Sequence, residues 1–309
     1  MKVLFTFPGQ GPQYPGMLHQ LPEATETQAL LAHASKVLGE DVLRLDNEQA
    51  LASTRAVQLC LLISGVAYSQ QLRNADIIPD MSCGLSIGAF AAAVVCGALD
   101  FDDALRLVAK RGELMQHAYP SGYGLTAIKG LFQPQVEHIV ADIQQQGLPL
   151  YLANINGEQQ LVVAGREDAM QLAIEQASLQ GGGGQQLAVS VPSHCELLKQ
   201  PAKELFALIE QVSFKRPYCA YLSGSSGRVL WQPQAIADDL AFNMARQVKW
   251  YDAMVSAYQR DVRLAIECPP GSVLTRLTKP LMPAGEALSM SQTALETIQM
   301  LVQRTLQSR

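Results

Sequence analysis

The sequence has little that would suit a membrane protein or a nucleic-acid-binding protein. Its most apolar stretches, at residues 59–68 and 89–99, are far shorter than the roughly 20 residues that span a bilayer. Its 23 lysines and arginines are outnumbered by 28 aspartates and glutamates, so the net charge is −5 and no general basic field attracts nucleic acid. The opening MKVLFTFPGQG holds too short an apolar run for a signal peptide. We therefore expect a cytoplasmic protein without membrane or nucleic-acid partners.

The sequence also lacks any cysteine pattern that is typical of a metal site or a disulfide framework. Its six cysteines are scattered, and no two of them are spaced as CxxC. Scattered cysteines in a cytoplasmic protein are ordinarily reduced thiols. We therefore predict no metal site and no disulfide.

The order of predicted elements indicates an α/β fold with a smaller unit inserted in it. The chain has 309 residues, of which 48% are hydrophobic, which is enough for one large domain with an insert. Strands are predicted at residues 125–131, 150–154, 160–164 and 186–191, with helices at 134–146 and 167–179. This β-α-β-β-α-β order is typical of a ferredoxin-like unit, and the four glycines at 181–184 are predicted to form a flexible turn. We predict an α/β-hydrolase-like core with a parallel sheet from residues 1–123 and 192–309, and a ferredoxin-like α+β subdomain from residues 124–191.

One serine stands between two glycines in the sequence GLSIG, at residues 84–88. A G-x-S-x-G pattern between a short strand and a helix is the nucleophile elbow, in which the turn is too tight for a side chain at either flank. The pattern makes Ser86 a candidate nucleophile. The alternative is a serine that caps the helix after it.

A serine hydroxyl needs a base, and His194 is the best candidate among the five histidines. It lies between a predicted strand and a predicted helix, which is where α/β folds place active residues. A polar residue at a helix start is an equally open interpretation of His194. No aspartate or glutamate stands out as the third member of a catalytic triad.

Five segments resemble, in the same order, the motifs of acyl-carrier-protein transacylases. They are FPGQGPQ at residues 7–13, GLSIG at 84–88, KRG at 110–112, VSVPSHCE at 189–196 and ECPPG at 267–271. Together they span nearly the whole chain. The resemblance implies an acyltransferase that works through an ester on its serine.

The resemblance also implies a role for each matching residue. Ser86 is the nucleophile and His194 the base, and the backbone N–H groups of Gln10 and Ile87 form the oxyanion hole. Arg111 binds the free carboxylate of a malonyl group. Gln160 matches a substrate-pocket residue more loosely, and the backbone carbonyl that orients the histidine is expected near Lys249.

Within this family the chain is most similar to the epsilon subunit of malonate decarboxylase. The similarity lies in STRAVQLCLL at residues 53–62, GLSIGAF at 84–90 and YPSGYGLTAI at 119–128. It implies transfer of malonyl from malonyl-CoA to the phosphopantetheine-type arm of a carrier subunit, with no permanently bound cofactor and with other decarboxylase subunits as partners. The alternatives are a malonyl transacylase of fatty-acid or polyketide synthesis, a serine thioesterase or hydrolase, and a non-catalytic carrier-binding subunit.

The chain departs from the family pattern at three positions. Leu85 and Ala89 replace a histidine and a glutamate beside the serine, and Arg55 replaces a glutamine. The first two replacements predict a less polar pocket. We expect Arg55 to be a substrate-binding residue that contacts a charged group.

Overall fold

A computed structural model describes residues 1–119 and 121–307, which form two β-sheets surrounded by helices. The strands in these residues are β1 (Lys2–Phe7), β2 (Met81–Gly84), β3 (Tyr123–Lys129), β4 (Leu150–Gly157), β5 (Gln160–Arg166), β6 (Gly183–Gln186), β7 (Ala220–Leu222), β8 (Val229–Leu230), β9 (Val262–Glu267) and β10 (Glu286–Ser289). The α-helices are α1 (Thr25–Leu38), α2 (Thr54–Asn74), α3 (Gly88–Val95), α4 (Phe101–Ala118), α5 (Gln133–Gln145), α6 (Glu167–Leu179), α7 (Lys199–Ile209), α8 (Pro233–Phe242), α9 (Trp250–Gln259), α10 (Val273–Thr278) and α11 (Leu295–Gln307). Short 3₁₀ turns lie at Val42–Arg44, Ala50–Ala52, Glu196–Leu198, Asn243–Ala245 and Lys279–Leu281.

The larger sheet has the order β10-β9-β1-β2-β7-β8, and all of its pairs are parallel except β7 with β8. Its central strand β1 is buried from Val3 to Phe7, as expected for a parallel strand covered on both faces. Parallel strands bring their carboxyl ends to one edge of the sheet, where α/β folds hold their ligands. The segments that follow β1, β2 and β9 therefore start side by side. The predicted α/β class with a parallel sheet is confirmed.

The smaller sheet has the order β4-β5-β3-β6 and is antiparallel throughout. Its elements follow one another as β-α-β-β-α-β, as the sequence predicts. The sequence predicts the last strand at residues 186–191, but it spans Gly183–Gln186, so that half of the glycine run is paired with β3 and is not a free turn. The paired position needs glycine, because a Cβ on Gly184 would lie only 2.6 Å from the Ile174 side chain. The hydrolase-like and ferredoxin-like assignments and the domain boundaries stay predictions.

Helix α2 crosses the main hydrophobic core and is buried on nearly every side. Of its 21 residues, 15 are buried, including Leu59, Leu62 and Ile63. A helix that is apolar all around belongs in a core. Gln58 is a polar exception with no exposed surface, so its amide must find partners inside the protein.

The chain before α9 is hydrogen-bonded to the edge of the smaller sheet. Val248 donates to the carbonyl of Ala153 at 2.8 Å, and Ile155 donates to the carbonyl of Val248 at 2.8 Å. This pairing fixes the turn at Asn243–Ala245 beside the second sheet. None of the helices in the described residues is long and apolar enough to cross a bilayer.

Candidate active site

Ser86 lies on a sharp turn between β2 and α3. Its φ angle is +56°, in the left-handed region, where an ordinary L-residue is strained by about 1–3 kcal/mol. A Cβ on Gly84 would lie 1.9 Å from the carbonyl carbon of Gly88, and one on Gly88 would lie 2.1 Å from the backbone oxygen of Phe7. Both flanking positions therefore require glycine, as the elbow pattern predicts.

The loop after β1 packs directly against this turn. A Cβ on Gly9 would lie 2.7 Å from the Leu85 side chain and 3.1 Å from its backbone oxygen. This contact holds Gln10 beside Ser86, and both residues line the same cavity. Ile87 immediately precedes α3, where the first N–H groups of a helix have no carbonyl partner within it. The use of the Gln10 and Ile87 N–H groups as an oxyanion hole stays a prediction.

His194 is buried beside the same cavity, with 3% of its surface exposed and a φ of +66°. Its Nδ1 lies 2.8 Å from the backbone oxygen of Asn243, and its backbone N–H donates to Met244. Burial, and then the nearby charge of Arg111, lower the pKa of His194 to about 4. The imidazole is therefore neutral at pH 7 and able to accept a proton.

Arg111 reaches the nucleophile from α4 and has no exposed surface. Its Nη2 lies 3.3 Å from Ser86 Oγ and 2.9 Å from Asn243 Oδ1, and its Nη1 lies 2.8 Å from Gln58 Oε1. No carboxylate of the described residues forms an ion pair with it, and its buried Nε has no hydrogen-bond partner among them. Burial lowers the pKa of Arg111 to about 9, which leaves it charged at pH 7.

The cavity above Ser86 is small, at about 120 Å³. Gln10, Ser86 and His194 line one side of it. Apolar side chains from the chain around the second sheet, including Leu125, Val162 and Leu187, line another. Leu85, which replaces the histidine of the family pattern, also lines this cavity and adds apolar surface to it. This volume suits an acyl group of a few carbons.

The acyl transferase domain model matches residues 4–295 of the chain. The chain belongs to the acyl transferase family. A nucleophile elbow, a neutral buried histidine and a buried arginine in one place agree with acyl transfer, so this protein is an acyltransferase.

Curated relatives match this acyl transferase over nearly its whole length. The malonyl CoA-acyl carrier protein transacylase of Bacillus subtilis (strain 168) is 30% identical over 308 residues, which cover 98% of this chain and 96% of the relative. The enzyme of the same name from Escherichia coli (strain K12) is 32% identical over 300 residues, covering 93% and 95%.

Solved structures share the fold of this acyl transferase. FabD from Acinetobacter baumannii superimposes with a TM-score of 0.92 at 30% identity and covers 100% of this chain and 99% of its own. A malonyl-transacylase in complex with a type II PKS acyl-carrier protein gives a TM-score of 0.91 at 31% identity, covering 98% and 100%.

Arg55 of the acyl transferase lies away from the cavity, contrary to our expectation that it contacts substrate. Its guanidinium forms ion pairs with Glu40 and Glu113, which already balance its charge. It lies three residues before Gln58 on α2, and Gln58 is the residue that reaches Arg111. Gln58, and not Arg55, is therefore the side chain of α2 that the structure brings to Arg111.

Gln160 also lies outside the Ser86 cavity. It begins β5 and lines a separate cavity of about 480 Å³ together with Tyr251 and Arg276. The two cavities share Asn156 and Leu277 as walls, so Gln160 is a neighbour of the site and does not contact the nucleophile's cavity.

Asn243 and Gln58 are the site residues that the sequence does not reveal. The carbonyl that accepts from His194 Nδ1 is that of Asn243, which precedes the position near Lys249 where the resemblance places it. The Asn243 side chain contacts Arg111 and donates from Nδ2 to the backbone oxygen of Ser86 at 3.3 Å. A buried glutamine in an apolar helix is the available signal for Gln58. Asn243 has no comparable sequence signal.

Proposed function

We propose that this acyl transferase moves a malonyl group from malonyl-CoA to the thiol of an acyl carrier protein, by way of an ester on Ser86. The names of its relatives support this substrate pair, since they are malonyl transacylases and one of them is bound to a carrier protein. The observation that most supports this proposal is the position of Arg111. This fully buried cation has no carboxylate partner in the described residues, and its Nη2 lies 3.3 Å from Ser86 Oγ.

An uncompensated buried guanidinium is costly, and an anionic substrate offsets that cost. A malonyl thioester carries its free carboxylate close to the reacting carbonyl, so one group can reach Arg111 while the other meets Ser86. A hydrogen bond to a charged group contributes about 1.5–3 kcal/mol. Acetyl-CoA lacks the carboxylate, so we expect malonyl to be preferred by roughly ten- to a hundredfold.

In the first half-reaction Ser86 Oγ attacks the thioester carbonyl while His194 Nε2 takes its proton. The N–H groups of Gln10 and Ile87 bind the oxyanion, and each such donor is worth roughly 10²–10³ in rate. The carbon–sulfur bond then breaks, the CoA thiolate takes the proton from His194, and the malonyl group stays as an ester.

In the second half-reaction the carrier thiol gives its proton to His194 and attacks the ester carbonyl. The bond to Ser86 Oγ breaks, and the serine recovers the proton from His194. The reaction needs no further oxidant, reductant or metal, so the two thiol carriers are the only co-reactants.

The relatives favour a carrier of fatty-acid or polyketide synthesis, because one related transacylase is bound to a polyketide carrier protein. A role in malonate decarboxylase is the second candidate, and it rests on the three segments at residues 53–62, 84–90 and 119–128. Two purified acceptors separate the candidates: a carrier with an ordinary phosphopantetheine arm and a decarboxylase carrier subunit with its CoA-derived arm. The acceptor with the higher kcat/KM identifies the setting.

The activity is tested by the mass of the protein after brief exposure to malonyl-CoA without a carrier. We expect one malonyl group on the peptide that contains Ser86, none in Ser86→Ala, and release of the group when a carrier thiol is added. Rapid loss of the group to water without a carrier would instead identify a hydrolase. Absence of any adduct would identify a non-catalytic carrier-binding subunit.

A further inference from the structure

Arg111 is held in place by two neutral amides. The Gln58 side-chain oxygen accepts from Nη1 at 2.8 Å, and the Asn243 side-chain oxygen accepts from Nη2 at 2.9 Å. Both amides are buried and are themselves anchored. Gln58 Nε2 donates to the side-chain oxygen of Gln10 at 3.1 Å, and Asn243 Nδ2 donates to the backbone oxygen of Ser86 at 3.3 Å.

A carboxylate has nearly the same shape as an amide and is the usual partner of a buried guanidinium. An amide oxygen satisfies an N–H donor without cancelling the positive charge. An arginine neutralised by carboxylates lies one turn away on the same helix α2, where Arg55 forms ion pairs with Glu40 and Glu113. Arg111 is therefore fixed in position and keeps its full charge, and its Nε–H has no hydrogen-bond partner in the described part of the chain.

We infer that Gln58 and Asn243 determine acyl specificity because they are amides and not acids. They position the guanidinium and leave its charge available to the carboxylate of the acyl group. A carboxylate in place of either amide would complete an internal ion pair with Arg111 and remove the reason for a diacid to bind. This inference rests on the proposed function, in which Arg111 receives that carboxylate.

The two positions act on specificity and not on the base. His194 is oriented by the backbone oxygen of Asn243, which a side-chain substitution retains. Gln58 makes no contact with His194 among its hydrogen bonds, which reach Gln10, Arg111 and Met115. A change of amide to acid therefore alters the balance of charge around Arg111 more than the orientation of the imidazole.

The test uses Gln58→Glu and Asn243→Asp in the full-length protein, each measured for acyl-enzyme formation with malonyl-CoA and with acetyl-CoA. We expect the malonyl-to-acetyl ratio of kcat/KM to fall at least about tenfold in each variant. The matched control is Gln71→Glu, which adds the same charge to α2 about 20 Å along the helix and should leave the ratio unchanged.

Two results would overturn the inference. Equal losses for both substrates would mean that the amides serve only the fold, and an unchanged ratio would mean that their neutrality is irrelevant. If only one of Gln58→Glu and Asn243→Asp folds, the substrate ratio of the folded variant decides the test. If neither variant folds, the two amides are required for folding and the inference is wrong. Failure of the proposed function is a separate result, because wild type would then form no malonyl adduct on Ser86.

Discussion

Nδ1 of His194 lies 2.8 Å from the backbone oxygen of Asn243. A carbonyl oxygen can only accept a hydrogen bond, so Nδ1 carries the proton of the neutral ring and Nε2 keeps its lone pair. A neutral carbonyl thus takes the place that a carboxylate holds in a Ser-His-Asp triad. The base is oriented without a negative charge that would compete for Arg111.

The first prediction concerns the pH dependence of acyl transfer. Because burial and the Arg111 charge lower the pKa of His194 to about 4, the base is unprotonated over most of the acidic range. The rate of acyl-enzyme formation should stay level from pH 7 to about pH 5 and fall as the pH approaches 4. Rapid-quench labelling with acetyl-CoA measures it. A midpoint near 6.5 would show that the imidazole is not buried during catalysis.

The second prediction separates the two causes of that low pKa. Arg111→Met removes the charge and keeps an apolar side chain of similar length in the site. The pKa of His194 should rise, because the charge of Arg111 disfavours the imidazolium, but it should stay below its usual value of 6.5, since burial is the larger cause. The acidic limb for acetyl transfer therefore moves to higher pH. An unmoved limb would show that the two groups do not interact.

The third prediction tests the arginine as a carboxylate ligand. Arg111→Lys retains a positive charge but lacks the planar fork that reaches Gln58, Asn243 and a substrate together. The preference for malonyl over acetyl should fall by about fivefold or more but not disappear, because the ammonium still attracts the carboxylate and only the second hydrogen bond of the fork is lost. Competition between the two labelled CoA thioesters measures the preference directly.

Arg55→Ala is the control for this experiment. Its side chain lies among Glu40 and Glu113 and not in the cavity, so the substrate preference should be unchanged. The loss of these two partly exposed ion pairs should cost no more than about 2 kcal/mol of unfolding free energy. A loss of preference as large as that of Arg111→Lys would contradict the role given to Arg111.

The sequence predicts those site features that depend on short stretches of chain. The two glycines around Ser86 specify a turn that only a few residues build. His194 lies just before the turn at Glu196–Leu198, as the sequence predicts, although the strand before it ends earlier, at Gln186. Arg111, in contrast, is assigned only through the family resemblance, because nothing local distinguishes it from a solvent-facing arginine of α4.

The partners of Arg111 could not be predicted because they come from distant parts of the chain. Gln58 is 53 positions away and Asn243 is 132 positions away, and their meeting depends on how α2, α4 and the turn before α9 pack. Arg55 and Gln58 lie three residues apart on one helix, and the packing of α2 decides which of them faces the site.

The fourth prediction concerns the close packing beneath the nucleophile. Gly88→Ala would place a Cβ 2.1 Å from the backbone oxygen of Phe7 in the adjacent strand, where neither partner can move without disturbing the sheet. We expect a loss of at least about 3 kcal/mol of unfolding free energy, or no folded protein. The control is Gly183→Ala, whose Cβ would meet nothing within 4 Å and which should change stability by less than about 0.5 kcal/mol. Equal urea midpoints for the two variants would contradict the geometry of the elbow.

The fifth prediction follows from the same buried imidazole and concerns stability in acid. The pKa of His194 is about 4 in the folded protein and close to 6.5 in the unfolded chain, so between these values only the unfolded chain binds the proton. The free energy of unfolding should therefore fall as the pH drops from about 6.5 to 4, by about 3 kcal/mol from this group.

His194→Gln cannot titrate and should lose less stability over the same window. Urea unfolding of both proteins at several pH values isolates the contribution of His194, since the other groups are common to both. Parallel curves would mean that the imidazole accepts a proton as readily in the folded protein as in the unfolded chain, and the site would then have no neutral base reserved for Ser86.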